Sequence, residues 1–157
     1  MKKVFITFSL LALTFLISGC GCSKKNLKTV TCNKNIKFDT HDYYVEYIIS
    51  YNSDDKLIDY VRNEKFESDD EELLRSTLEY KNDIYSELNE IDGYTFDGNF
   101  ENNVLTTKIN IDFSNIDEEK LLEVAPTYQT YYNDEKKQFD INNTLNDLKT
   151  NNFECTE

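Results

Sequence analysis

Apolar and polar positions alternate with a period of two over Asp42–Tyr51, where Tyr43, Val45, Tyr47, Ile49 and Tyr51 share one side of the chain. That period, in β-branched and aromatic residues, predicts a strand. Asn52-Ser53-Asp54-Asp55 is a turn cluster. Lys56–Phe66 follows as a second strand, with Leu57, Ile58, Tyr60 and Val61 as its apolar contacts. The two should form a hairpin. A second hairpin is predicted from Tyr94–Phe100 and Val104–Phe113 around the turn Glu101-Asn102-Asn103. In its return strand Leu105, Thr107, Ile109, Ile111 and Phe113 face one way, and Thr106, Lys108, Asn110 and Asp112 the other. One polar side means an antiparallel sheet with one covered face.

Between the hairpins the period changes to that of a helix. Leu73, Leu74, Leu78, Tyr80, Ile84, Tyr85, Leu88 and Ile91 recur at helical spacing. Ser68-x-x-Glu71 reads as a capping box, and Gly93 as a left-handed stop. A helix over residues 69–91 is expected. A shorter one, capped by Ser114 or Asn115, should run through Leu121, Leu122 and Val124 and end at Pro126. Residues 127–139 favour neither period. A last helix is expected over residues 140–150, on Ile141, Leu145 and Leu148, before a short strand at Phe153–Cys155. The sum is an α+β domain: an antiparallel β-sheet of two hairpins and short terminal strands, with one long helix and shorter C-terminal helices packed on one face.

The N-terminus follows a different pattern. Met1-Lys2-Lys3 is basic, and Val4–Ile17 is apolar apart from Thr7, Ser9 and Thr14. The run is shorter than the roughly 20 residues that span a bilayer, and it matches the apolar part of an export signal. It ends in Ile17-Ser18-Gly19-Cys20, which is similar to the lipobox of bacterial lipoprotein signals. This predicts a signal peptide over residues 1–19, a lipidated tether over 20–28 starting at Cys20, and one domain over 29–157. Two acyl chains on Cys20 make a stable anchor. The alternative is a plain signal cut nearby, with Cys20 incidental. The expected place is the cell membrane, lipid-anchored and facing outside the cytoplasm.

Charge sharpens this picture. The signal holds two of the 17 basic residues and none of the 30 acidic ones, so the remainder carries −15. Lys24, Lys25 and Lys28 give the tether +3, and residues 29–157 carry −18. A basic tether suits anionic headgroups, though it reads equally well as a plain solvated linker. An acidic body of this size excludes nucleic acid as a partner. With 11 Tyr, 10 Phe and no Trp, the core should be built on tyrosine and phenylalanine.

If lipid takes Cys20, then Cys22, Cys32 and Cys155 remain, which permits one intramolecular pair. Cys32 opens the domain and Cys155 closes it, both in strand-like sequence. Outside the cytoplasm a Cys32–Cys155 bridge can persist. The alternative is that both stay reduced as small core residues. Cys22 lies in the tether without a thiolate-stabilising base.

The lipobox, the early strand Thr29-Val30-Thr31-Cys32, the two hairpins around a helix and the terminal Phe153-Glu154-Cys155 together resemble the YehR-like family of small uncharacterised bacterial lipoproteins. The resemblance spans nearly the whole mature chain. Relatives of this type often carry Gly before the terminal aromatic-x-Cys, where this chain has Asn151-Asn152. Asn is the next best residue for a left-handed turn. The resemblance implies a fold but no activity, cofactor or site residue.

Candidate chemistry is sparse. The single histidine, His41, sits in the polar turn Asp39-Thr40-His41-Asp42 and is expected to be exposed, with no triad around it. Asp69, Asp70, Glu71 and Glu72, like Glu118 and Glu119, are explained as helix N-terminal charge. Asn110, Asp112, Ser114 and Asp117 imitate a calcium loop, but Asn115 and Leu121 stand where Gly and Glu are required. No metal, cofactor or catalytic residue is therefore assigned. The stripe Tyr43, Tyr47, Tyr51 is expected to be core. Tyr128, Tyr131 and Tyr132 are candidates for an exposed aromatic patch. The function expected is a non-enzymatic binding or interaction module with an envelope protein or cell-wall partner. The alternative is a small-ligand or cation-binding accessory lipoprotein of an envelope transporter. A carboxylate-based envelope hydrolase ranks last.

Overall fold

The computed structural model of the chain describes residues 26–157. Cys20 and Cys22, with the signal and most of the tether, lie outside the described residues. The domain begins with β1 (Lys28–Lys37), β2 (Asp42–Tyr51) and β3 (Leu57–Glu67), each antiparallel to the next. Then come α1 (Glu71–Ser86), β4 (Tyr94–Glu101) and β5 (Val104–Asp112). The C-terminal part holds α2 (Glu118–Val124), a 3₁₀ turn (Pro126–Tyr131), the two-residue strands β6 (Tyr132–Asn133) and β7 (Gln138–Phe139), α3 (Ile141–Thr150) and β8 (Glu154–Thr156). Six strands form one antiparallel sheet in the order β4-β5-β3-β2-β1-β8. The fold is α+β, as the periodicities imply. None of the described helices is long and apolar enough to cross a membrane.

The registers explain the covered face. Tyr43, Val45, Tyr47, Ile49 and Tyr51 of β2 align in turn with Phe66, Glu64, Arg62, Tyr60 and Leu57 of β3, the first four of which meet Leu105, Thr107, Ile109 and Ile111 of β5. The core is built from these rows together with Val30, Cys32, Tyr94 and Phe96. Turn chemistry fixes the hairpin between β4 and β5, because Asn102 and Asn103 both take positive φ (52° and 61°), as a two-residue hairpin turn demands. The stripe Tyr43, Tyr47, Tyr51 is core, with Tyr43 half-buried at its end.

The helices depart from expectation in their ends and faces. α1 stops at Ser86, and residues Leu88–Glu90 form a separate 3₁₀ turn. Beyond that break, Asn89 Oδ1 accepts from Phe96 N (2.6 Å) and so satisfies the outer strand β4. Asp70, not Ser68, caps α1 by accepting from Leu73 N. Ser68 Oγ instead donates to Thr40 O and ties the helix entry to the loop before β2. Gly93 is left-handed (φ +87°), but it belongs to the turn into β4, where a Cβ would stand 3.0 Å from Asp112 O. The cap of α2 is Asp117, whose side chain accepts from Lys120 N. Pro126 starts the 3₁₀ turn that follows.

α1 packs against β4 and β5, while α3 packs against the Pro126–Tyr131 turn and β8. The buried line of α1 runs through Leu74 and Lys81, continued by half-buried Leu78 and Tyr85. Tyr80 (65% exposed) and Ile84 (43%), expected on the apolar face, point to solvent. Leu78 lies over Gly98 of β4, where a Cβ would come within 2.5 Å of Leu78 Cδ1. The missing side chain lets the helix sit close to the sheet at this point, which brings Lys81 down onto β3.

Candidate functional site

Two charged residues break the inward alternation of a central strand. On β3 the side chains facing the helices are Tyr60, Arg62, Glu64 and Phe66. Glu64 is 3% exposed, and an unpaired charge there would be untenable. It is fully engaged. Oε1 accepts from Tyr43 Oη (2.5 Å) and from the Arg62 guanidinium. Oε2 accepts from Lys81 Nζ (2.7 Å) and from Thr107 Oγ1 (2.7 Å). Four elements thus contribute to one carboxylate: β2, β3, α1 and β5. Burial alone would push the Glu64 carboxyl up. Arg62 and Lys81, with the hydrogen bonds from Lys81 and Tyr43, outweigh it and hold the pKa at about 2.

Arg62 is the more open member of the group. The carbon of its guanidinium sits 5.8 Å from the Tyr47 ring centroid, a cation–π arrangement. A quarter of its side chain (26%) still reaches solvent. Tyrosines collar it. Tyr47 packs on Tyr60, which contacts Tyr128 and Tyr131 from the C-terminal 3₁₀ turn. Tyr85 enters from α1 and stacks on Phe96. Burial pushes the hydroxyls of Tyr60, Tyr94, Tyr128 and Tyr131 above their ordinary value, so all stay neutral near pH 7. Arg62 Nε is a buried donor with no hydrogen-bond partner, while the Tyr94 hydroxyl lies against that of Tyr128.

The residues singled out from sequence fare differently. Cys32 and Cys155 form a disulfide between β1 and β8. It lies in the same cross-strand row as Tyr47 and Arg62. Tyr128, Tyr131 and Tyr132 are half-buried and packed against the core, because Tyr60 and Phe139 offer ring partners beneath them. They form no exposed patch. His41 is half-buried rather than exposed, stacked on Phe38 at 4.5 Å. It borders an open hollow of about 430 Å³ whose other walls include Asp39, Glu67 and Asp69. Asp112 spends its oxygens on Ser114 N and Asn115 Nδ2, which closes the turn after β5. Arg62, Glu64 and Lys81 were missed by sequence reasoning. The signal for two of them was present in Tyr60-x-Arg62-x-Glu64-x-Phe66, where aromatic residues bracket two charges on one strand face.

No protein-family model and no curated protein matches the chain. Two solved structures share its fold. One is the NMR structure of a protein from Streptococcus pneumoniae TIGR4, with a TM-score of 0.55 and 15% identity, covering 99% of this chain and 97% of that one. The other is the NMR structure of the E. coli YehR protein, also with a TM-score of 0.55 and 15% identity, covering 82% of this chain and 91% of that one. The YehR-like resemblance read from the sequence therefore holds as a likeness of fold. At 15% identity neither structure brings a function to this chain.

Proposed function

We propose that this chain is a non-enzymatic binding module, anchored through lipid at Cys20 on the outer side of a cell membrane. The observation that carries the binding part is the contrast between Glu64 and Arg62. Glu64 has every oxygen engaged and a proton affinity far below neutrality. It is a poor general acid or base at pH 7. Arg62 stays partly open within an aromatic collar. That pairing suits holding a ligand more than transforming one. Of the two forms this reading takes, a small-ligand site is favoured over a flat protein-docking patch, because the C-terminal tyrosines turn inward onto Tyr60. An accessory role beside an envelope transporter is consistent with such a site. The Cys32–Cys155 bridge supports an oxidising compartment, and Ile17-Ser18-Gly19-Cys20 supports the anchor.

Two measurements test the two parts. Cells fed radioactive palmitate should label the wild-type chain and leave Cys20→Ala unlabelled and unprocessed. Equal labelling of both would remove the anchor. The detergent-extracted full chain, incubated with a small-molecule extract of the cells, should retain a compound in native mass spectrometry that Arg62→Gln loses. A compound that is instead consumed in proportion to the protein would make the chain an enzyme.

A further inference from the structure

We infer that the Arg62 site takes a small monocarboxylate with a flat or apolar body, an assignment that rests on the binding-module reading above. Charge is the first reason. Arg62 and Lys81 share a single carboxylate, Glu64. The tyrosine hydroxyls around them are neutral, so the group carries one excess positive charge inside an acidic domain. A buried cation without a full counter-charge is stabilised by an anion. One excess charge matches a monoanion. A body of −18 over residues 29–157 repels polyanions such as phosphate esters.

Hydrogen bonding is the second reason. Folded proteins rarely leave buried donors unpaired. Here Arg62 Nε lacks a partner. A planar guanidinium presents parallel N–H bonds to the two oxygens of a carboxylate. Shape is the third reason. Tyr85, Tyr128 and Tyr131 near the group are half-buried, and such rings pack on a flat apolar body.

The chain has two arginines, Arg62 and Arg75. Arg75 is on the outer side of α1, its side chain 60% exposed. In a ¹H–¹⁵N spectrum of the full chain in detergent, each contributes one Nε–H signal. Arg75→Lys removes its own signal and so assigns both. Benzoate and N-acetylphenylalanine stand for a free small acid and for the carboxyl end of a peptide. At least one should move the Arg62 signal saturably and leave Arg75 in place, and which of them does so identifies the source. The neutral isosteres, benzamide and N-acetylphenylalanine amide, should bind weaker by about tenfold or more. Lys81→Met, which removes the excess charge without touching Arg62, should weaken the acids and leave the amides unchanged.

An Arg62 signal that neither acid moves overturns the assignment. So does equal binding of acids and amides, or phenyl phosphate binding more tightly than benzoate. If an extract compound is retained and lost with Arg62→Gln while no acid moves Arg62, the binding-module reading stands and the carboxylate assignment alone falls.

Discussion

Lys81 Nζ and Glu64 Oε2 meet at 2.7 Å across the interface between α1 and the sheet. Both stand where the pattern of the chain calls for apolar residues. Lys81 takes the middle of the buried line of the helix, and Glu64 an inward place on a central strand. Either charge alone would be costly in that position. Paired, and completed by Arg62, Tyr43 and Thr107, they are held without an orphaned carboxylate oxygen.

Removing the shared carboxylate should hurt more than removing one of its cations. Glu64→Gln leaves Arg62 and Lys81 facing each other without a counter-charge, and breaking a buried pair in this way costs roughly 3–5 kcal/mol. Lys81→Met keeps Arg62, Tyr43 and Thr107 on the carboxylate, so its cost should be clearly smaller. Urea denaturation of both variants checks the order. Equal losses would mean that Glu64 is not the hub of the network.

The same carboxylate predicts a specific pH dependence. Its pKa in the folded chain is about 2, below the 4.5 of the free side chain. As the pH falls, the unfolded chain takes up the proton first. The stabilisation is therefore complete above 4.5 and is lost as the pH drops toward 2. Many exposed acids titrate in the same range, so the measured quantity is the difference between wild type and Glu64→Gln. That difference should be flat near neutrality and shrink steadily on acidification. A difference that grows toward low pH would contradict the arrangement.

Much of the sheet can be read from sequence because its faces differ so clearly. Residues 42–51 and 104–112 alternate without interruption, and Asn102-Asn103 supplies the positive φ that a tight hairpin needs. What resisted reading has physical causes. In α1 the apolar residues Tyr80 and Ile84 widened the stripe toward solvent, while the buried Lys81 counted as polar. Its charge is satisfied by a residue 17 positions earlier, and no local pattern reports that. Arg62 and Glu64 sit on one strand face as two charges between aromatics, which reads locally as a wet edge. The bracketing aromatics are the one local hint of burial, and the sheet order, which places β3 between β5 and β2, is what puts both under the helices. β1 runs to Lys37 although its second half is polar, because β2 pairs with all of it.

The bridge between Cys32 and Cys155 spans 123 positions. Linking such distant residues restricts the unfolded chain strongly, and removal of a native bridge of this kind costs about 2–5 kcal/mol. β8 is three residues long and, among the described residues, pairs with β1 alone. Reduction should therefore lower the urea midpoint and release the C-terminal strand first. The edge contact of Phe153 on Tyr47 would loosen with it, so Arg62 loses part of its support from below. Amide exchange at Glu154–Thr156, measured with and without reductant, should show this as faster exchange there than in β2. Uniform acceleration across the sheet would instead mean that the bridge stabilises the domain as a whole.

The start of α3 depends on one side chain. Asp140 is 1% exposed, and its Oδ1 accepts from Asn142 N at 2.9 Å, the bond that caps the helix. Oδ2 accepts from Lys136 Nζ at 2.8 Å, and Lys136 also reaches Asp55 in the turn between β2 and β3. Burial would push the carboxyl up, but the Lys136 bond and the backbone N–H groups hold it down. Asp140→Ala removes the cap and should cost about 1–2 kcal/mol. Asp140→Asn keeps a capping oxygen and gives up only the charge on a partner that is 42% exposed. Solvent around the lysine screens the pair, so its loss should cost less than loss of the cap. Denaturation midpoints should therefore fall in the order wild type, Asn, Ala. If the Asn variant is as weak as Ala, the ion pair with Lys136, and not the cap, holds α3 in place.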